Sequence, residues 1–238
     1  MRETKLGRWL LRVSRVVAFG LMGMAGPLAE SVAADDTQVW MESGVRFKTS
    51  KKVRVDVAQH LRLDQNVSRV QGILTDVSLS WRPEKWLRLG GGYRLQFDAN
   101  KSGQLIPGHR FHLQGGLRTD VQRLTLATRL RFQETFEHKD GGLENKHSIR
   151  HRVGFSVDTD SVATPSLSSE LFVRIAGKAP IYVSKMRFTL GVDIKPSKRH
   201  VVGTYYRLHV PIFDKGDNRE HIVGLNYQYR PKRIKRKK

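Results

Sequence analysis

From Val39 to Tyr229 the hydrophobic positions recur every second residue. In one stretch, Leu87, Leu89, Gly91, Tyr93, Leu95 and Phe97 form one row, and Arg88, Gly90, Gly92, Arg94 and Gln96 form the other. Successive side chains of a strand leave opposite faces, so period two predicts β-strands. The same alternation runs through 39–47, 53–63, 73–81, 87–97, 111–117, 124–132, 149–157, 167–175, 186–194, 206–210 and 223–229. Phe172 is an apolar exception on its polar row. After Ala34 no stretch shows a period of 3.6. Gly, Pro, Asn, Asp, Ser and Lys fill the connections, as turns require. Short connections (49–52, 83–85) alternate with longer ones (64–71, 98–108). This predicts an antiparallel up-and-down meander, with no room for the crossover helices of a parallel sheet.

Two environments suit such strands. A soluble sheet turns its apolar row to a core. A membrane barrel turns that row to lipid and keeps the polar row inside. Segments of about 9–11 residues cross the hydrocarbon core when tilted. Ordinary soluble strands run nearer 5–6 residues. Aromatics near segment ends (Trp40, Trp81, Trp86, Phe97, Phe132, Phe136, Tyr227 and Tyr229) suit interfacial girdles. A sheet in lipid must close, because unpaired edges are too costly there. The expectation is an all-β, transmembrane, antiparallel barrel spanning 35–229. Bacterial single-chain barrels usually have an even strand count. Twelve strands are therefore expected, with ten as the alternative.

The N-terminus reads differently. Arg2, Lys5, Arg8, Arg12 and Arg15 precede a short apolar run at 16–25, and Ser31-Val32-Ala33-Ala34 ends in small residues. That is the layout of a secretory signal peptide over 1–34. An amphipathic helix or a membrane anchor is the alternative.

Charge sharpens the partner class. The 238 residues carry a formal net charge of +21, and the positive excess persists beyond Ala34. Such a balance favours anionic partners. Export argues against nucleic acid and for outer-membrane lipid, lipopolysaccharide, and anionic small solutes or acidic oligosaccharides. Seven of the last nine residues, RPKRIKRKK, are basic, so 230–238 reads as a solvated tail. Cysteine is absent, which excludes disulfides, thiolate metal sites and cysteine nucleophiles.

Arginines dominate the polar row. Arg54, Arg88, Arg94, Arg110, Arg129, Arg131, Arg150, Arg152, Arg187 and Arg207 are the candidate anion-binding residues of a lumen. Arg46, Arg62 and Arg174 share the row. On a lipid face a mid-depth Arg costs roughly 2–4 kcal/mol, whereas a hydrated lumen accepts it. Guanidinium ladders bind carboxylate and phosphate bidentately. A plugged barrel, its Arg–acid pairs filling the interior, explains the same residues. A third possibility is a non-conducting structural or interaction barrel that uses the loops 64–71, 98–108, 137–146 and 214–220.

Catalysis and metal binding find little support. His147-Ser148, His151 and Glu144 are the nearest to a hydrolytic set. Adjacent residues on a strand face opposite ways, so His147 and Ser148 cannot work together. Lipid modification is therefore the weakest of the readings, and no enzyme is expected. No HxH or HExxH spacing occurs among the nine histidines, and no metal or cofactor is expected. Gly90-Gly91-Gly92 lacks the Lys-Ser/Thr and the helix of a phosphate loop. Aromatic and basic residues alternate and so occupy opposite faces, which does not suit stacking on a nucleic-acid strand.

The segments TQVWMESGVRF, HLRLDQNVSRV, TDVSLSWRPEKWLRLGGGYR and HIVGLNYQYR, in that order, resemble an uncharacterised bacterial outer-membrane family, domain of unknown function 2490. The similarity covers most of 37–229, and its most specific part is Asp76 through Arg94. The resemblance implies a small outer-membrane β-barrel with no established activity. The basic tail after Tyr229 departs from the terminal aromatic that usually closes such barrels.

Overall fold

The computed structural model describes residues 36–100, 102–139, 142–175, 181–212 and 219–232. The expected signal peptide and the last six residues of the tail lie outside the described residues.

Every alternating segment forms a strand. They are β1 (Asp36–Lys48), β2 (Val53–Asp64), β3 (Arg69–Trp81), β4 (Leu87–Ala99), β5 (Leu105–Val121), β6 (Leu124–Lys139), β7 (Gly142–Val157), β8 (Ala163–Ile175), β9 (Tyr182–Ile194), β10 (His200–Pro211) and β11 (Glu220–Tyr229). Each strand pairs antiparallel with its sequence neighbour, and β1 closes on β11. The expected all-β barrel is present. Its strand count is eleven, not twelve or ten.

The closing pair accounts for the odd number. In an up-and-down meander of odd count the first and last strands run the same way. Here β1 and β11 pair in parallel over ten register positions, from Asp36↔Glu220 to Val45↔Tyr229. A parallel ladder satisfies the edge groups of both strands, though slightly less stably per residue. Closure therefore needs no twelfth strand.

The meander defines two mouths. The N-mouth carries the start of β1, the 65–68 turn, and the strand ends at Ala99 and Leu105, Lys139 and Gly142, Ile175 and Tyr182, and Pro211 and Glu220. The C-mouth carries 49–52, 82–86, 122–123, 158–162, 195–199 and the end of β11. At the C-mouth, backbone hydrogen bonds run between neighbouring segments: Arg82 N to Lys52 O, Arg118 N to Trp86 O, Asp158 N to Arg123 O, Lys195 N to Val162 O and Arg230 N to Arg199 O, all at 2.7–2.8 Å. These bonds continue the ladder to the ends of the strands and into the turns.

The expected loops are shorter than the composition implies. Segment 137–146 is mostly strand, because β6 and β7 pair out to Lys139↔Gly142. The 64–71 loop shrinks to a turn at 65–68. Polar composition misled here because strands projecting past a barrel edge can be polar on both faces.

The outer surface is apolar. Leu79, Leu113, Leu130, Leu167 and Leu190 are each more than half exposed, and Phe111, Phe132 and Phe155 stand on the same face. Apolar surface of this extent has no core to join. Fully buried side chains point inward instead: Leu74, Gln96, Gln38, Ile222 and His209. Trp81 and Trp86 are exposed, as girdle positions require (47% and 56%). Trp40 is not a girdle residue. It is 8% exposed and lies inside the barrel. Its place in the alternation, between Gln38 and Glu42 on the inward row, decides this over its position near a segment end.

Candidate functional site: an arginine-lined lumen

Two cavities lie inside the barrel among the described residues. One of about 740 Å³ reaches the N-mouth and is lined by Arg94, Arg110, Arg129, Arg131, Arg150, Arg152, Arg187 and Arg207. Arg62, Trp40, Phe172, Lys185 and His209 line it too. The other, about 390 Å³, lies towards the C-mouth and includes Arg88 and Arg118. Arg129 and Arg152 line both, so they form the wall where the cavities meet. Arg54 stands near the C-mouth and lines neither cavity.

Register brings like charges together. Arg129 lies directly opposite Arg152, and Arg131 opposite Arg150, across β6 and β7. Arg94 faces Arg110 across β4 and β5. Like charges directly opposite destabilise a sheet. One carboxylate offsets the block. Glu170 lies opposite both Arg152 and Arg187. It accepts hydrogen bonds from Arg129 (2.7 Å), from Arg150 (3.2 and 2.8 Å) and from Arg187 (3.3 Å). A buried carboxylate with three guanidinium partners holds them in fixed positions, and charge-assisted bonds of this kind are the strong ones.

The remaining guanidiniums divide by partner. Arg94 binds Asp76 through two bonds, at 2.9 and 2.5 Å. Arg131 donates to the neutral amide of Gln114, Arg110 to Thr135 and Arg207 to Thr189. The Arg62 and Arg129 Nε atoms are buried without a hydrogen-bond partner among the described residues. The cavity wall thus combines charges already neutralised with donors still short of an acceptor. Buried polar groups are rarely left so.

Aromatic faces complete the wall. Arg62 sits 4.0 Å from the Trp40 ring centroid, and Arg207 and Arg187 lie at 5.2 and 5.8 Å. Phe172 takes Arg150 at 4.4 Å and Arg187 at 4.6 Å. These are cation–π distances. Trp40 also meets the His209 ring edge-on at 5.7 Å. His209 in turn contacts Arg187 Nε at 2.5 Å and bonds closely to Glu220. Row parity alone could have placed Arg62 and Trp40 inside. The clustering of Phe172 and His209 with them depends on pairing across distant strands.

The hydrolytic candidates separate as expected from adjacency. Ser148 lies opposite Gln133 and Arg174 on the inward row. His147 stacks on the outward Phe132. His151 contacts the Thr128 hydroxyl at 2.9 Å on the outer wall. Among the described residues there is no group of three or more His, Cys, Asp or Glu that could hold a metal.

The fold and lumen define a class: a closed β-barrel with an apolar exterior and a basic, aromatic-lined interior. The family described as Protein of unknown function (DUF2490) matches residues 37–220, and the chain belongs to that family. No curated protein matches the chain. Among solved structures, the beta domain of the Bordetella autotransporter Brka is similar over 77% of this chain and 82% of that chain, at 13% identity and a TM-score of 0.38. A likeness at that level says nothing about what the lumen binds.

Proposed function

We propose that this chain is an outer-membrane barrel whose lumen takes up anionic solutes, as a narrow channel or as a binding barrel, and that it is not an enzyme. The observation that carries this is the β6–β7 arginine block. Arg129↔Arg152 and Arg131↔Arg150 are like-charge pairs that cost stability, and a purely structural interior has no need of them. Their positive charge exceeds what Glu170 supplies. The exposed apolar exterior supports a bilayer setting, since water disfavours it and lipid does not. Carboxylates and phosphates are the ligands that guanidinium pairs bind best. The faces of Trp40 and Phe172 hold the guanidiniums of Arg62, Arg150 and Arg187 in place, and such fixed cations suit the carboxylates of acidic oligosaccharides.

The test is single-channel recording in planar bilayers under a salt gradient, paired with calorimetric titration of an acidic oligosaccharide. Anion-selective current weakened by Arg131→Gln is expected. Arg131 is chosen because its partner Gln114 is neutral, so the substitution leaves no carboxylate stranded. Oligosaccharide binding without current would identify a binding barrel. Electrical silence together with absence of binding would sink the proposal and leave a plugged, structural or interaction barrel.

A further inference from the structure

The two mouths differ in charge. At the N-mouth, Asp36, Asp64, Asp98, Glu137 and Glu220 offset the basic groups. The C-mouth is dominated by cations. Lys51, Lys85, Lys198, Arg199 and Lys232 are all exposed there. None of these five has an ion pair among the described residues, whereas nearby Arg118 and Arg123 are paired with Asp120 and Asp160. Crowding of positive charge is felt at Arg82 in the 82–86 turn. Its pKa is lowered first by partial burial and then by the charges of Arg54, Arg118 and Arg46.

Two further features make this edge a surface and not a loose scatter of charge. Backbone bonds tie the 82–86 turn to the 49–52 turn and link the 122–123, 158–162 and 195–199 connections in series, which limits the movement of the cations they carry. Lys52 Nζ adds a 2.7 Å bond to Pro83 O between neighbouring turns. Trp81 precedes the 82–86 turn and Trp86 ends it, and both are exposed. Indole rings beside ammonium groups at a barrel rim mark the depth of lipid headgroups.

We infer that the C-mouth rim is a collar that binds the phosphate groups of anionic glycerophospholipids in the adjoining leaflet. The inference rests on the reading that the barrel spans a bilayer, but not on what its lumen binds. The leaflet follows from the connections. None at the C-mouth exceeds five residues, whereas the N-mouth has one of eight between β10 and β11. Short turns face the periplasm in barrels of this kind, and the longer loops face outward. The periplasmic leaflet presents glycerophospholipid, and lipopolysaccharide lies on the other side. Juxtamembrane cations attract anionic headgroups additively, and salt screens the attraction.

The experiment uses the full chain in vesicles of phosphatidylcholine alone or mixed with phosphatidylglycerol, followed by mild detergent extraction and native mass spectrometry of retained lipid. Flotation with phosphatidylcholine vesicles scores insertion separately, so failure of the bilayer reading is distinguishable from failure of the collar. Preferential retention of phosphatidylglycerol is expected. Lys51→Gln, Lys85→Gln, Lys198→Gln and Arg199→Gln should each weaken it, by on the order of fivefold per charge, and the combined variant should abolish the preference. Arg174→Gln with Arg219→Gln, at the N-mouth, should leave it intact. Equal retention of both phospholipids by the unaltered chain would overturn the proposal. So would retention of purified lipid A in their place, or an undiminished preference in the combined variant.

Discussion

The ring of Tyr205 covers Gly224 so closely that a Cβ there would lie 1.9 Å from its Cζ atom. These residues are direct cross-strand partners on β10 and β11. Gly191 flanks Tyr205 on β9, and Trp40 flanks Gly224 on β1. Bulky and absent side chains therefore alternate around this level of the lumen. Arg207 lies 4.3 Å from the Tyr205 ring and limits where the ring can go. Gly224→Ala should destabilise the barrel by about 1–3 kcal/mol through overpacking, seen as a lower unfolding midpoint. Adding Tyr205→Ala should recover part of the loss, as contacting sites are not additive. Heat-modifiable gel migration across a temperature series measures both.

Glu170 is the one carboxylate that joins three lumen arginines on separate strands, β6, β7 and β9, among the described residues. Glu170→Gln keeps the shape and removes the charge. Three guanidiniums then face one another with no counter-charge, so a loss of about 3–5 kcal/mol is expected. Urea titration of the folded fraction in detergent checks it. A change under 1 kcal/mol, roughly the value of an exposed pair, would show that water and salt already screen the block.

Neighbours on β5 should respond with opposite signs. Leu113 is 68% exposed on the outer wall, and Gln114 accepts two bonds from Arg131 inside. Leu113→Arg should cost roughly 2–4 kcal/mol of folding free energy in vesicles. Gln114→Glu should be neutral or stabilising, because it gives Arg131 an acidic partner. Equal penalties for the two would contradict the assigned faces.

Fluorescence separates the tryptophans. In variants that keep a single Trp, brominated lipid should quench Trp81 and Trp86 and leave Trp40 unaffected. Trp40 sits behind the wall, hydrogen bonded to Gln38 at 3.0 Å. Its quenching by lipid would place it back on the girdle.

Much of the barrel was legible as period two, because each strand has one face in each environment. Leu87 through Phe97 and Arg88 through Gln96 sort to the outside and inside as the alternation predicts. What parity cannot show is how the sheet closes. The expectation of twelve strands assumed an antiparallel seam, whereas β1 and β11 run the same way. The arginines of the candidate lumen were likewise readable from parity, with the partial exception of Arg54, which faces inward but stands outside both cavities. Their division into neutralised and spare groups was not readable. It depends on Glu170 reaching three strands, and separations such as the 41 residues between Arg129 and Glu170 leave no local trace. Trp40 stands near a segment end, as a girdle residue would, but on the inward row, and the row decides its side.

The parallel seam also has a topographic consequence. Asp36 and Arg230 stand at opposite mouths, so a membrane crossed by this barrel would separate the start of β1 from the end of β11. A protease or an antibody confined to one side would meet only one of them. Epitopes placed at these two positions would thus report sidedness in a single experiment, which a barrel of even strand number does not permit.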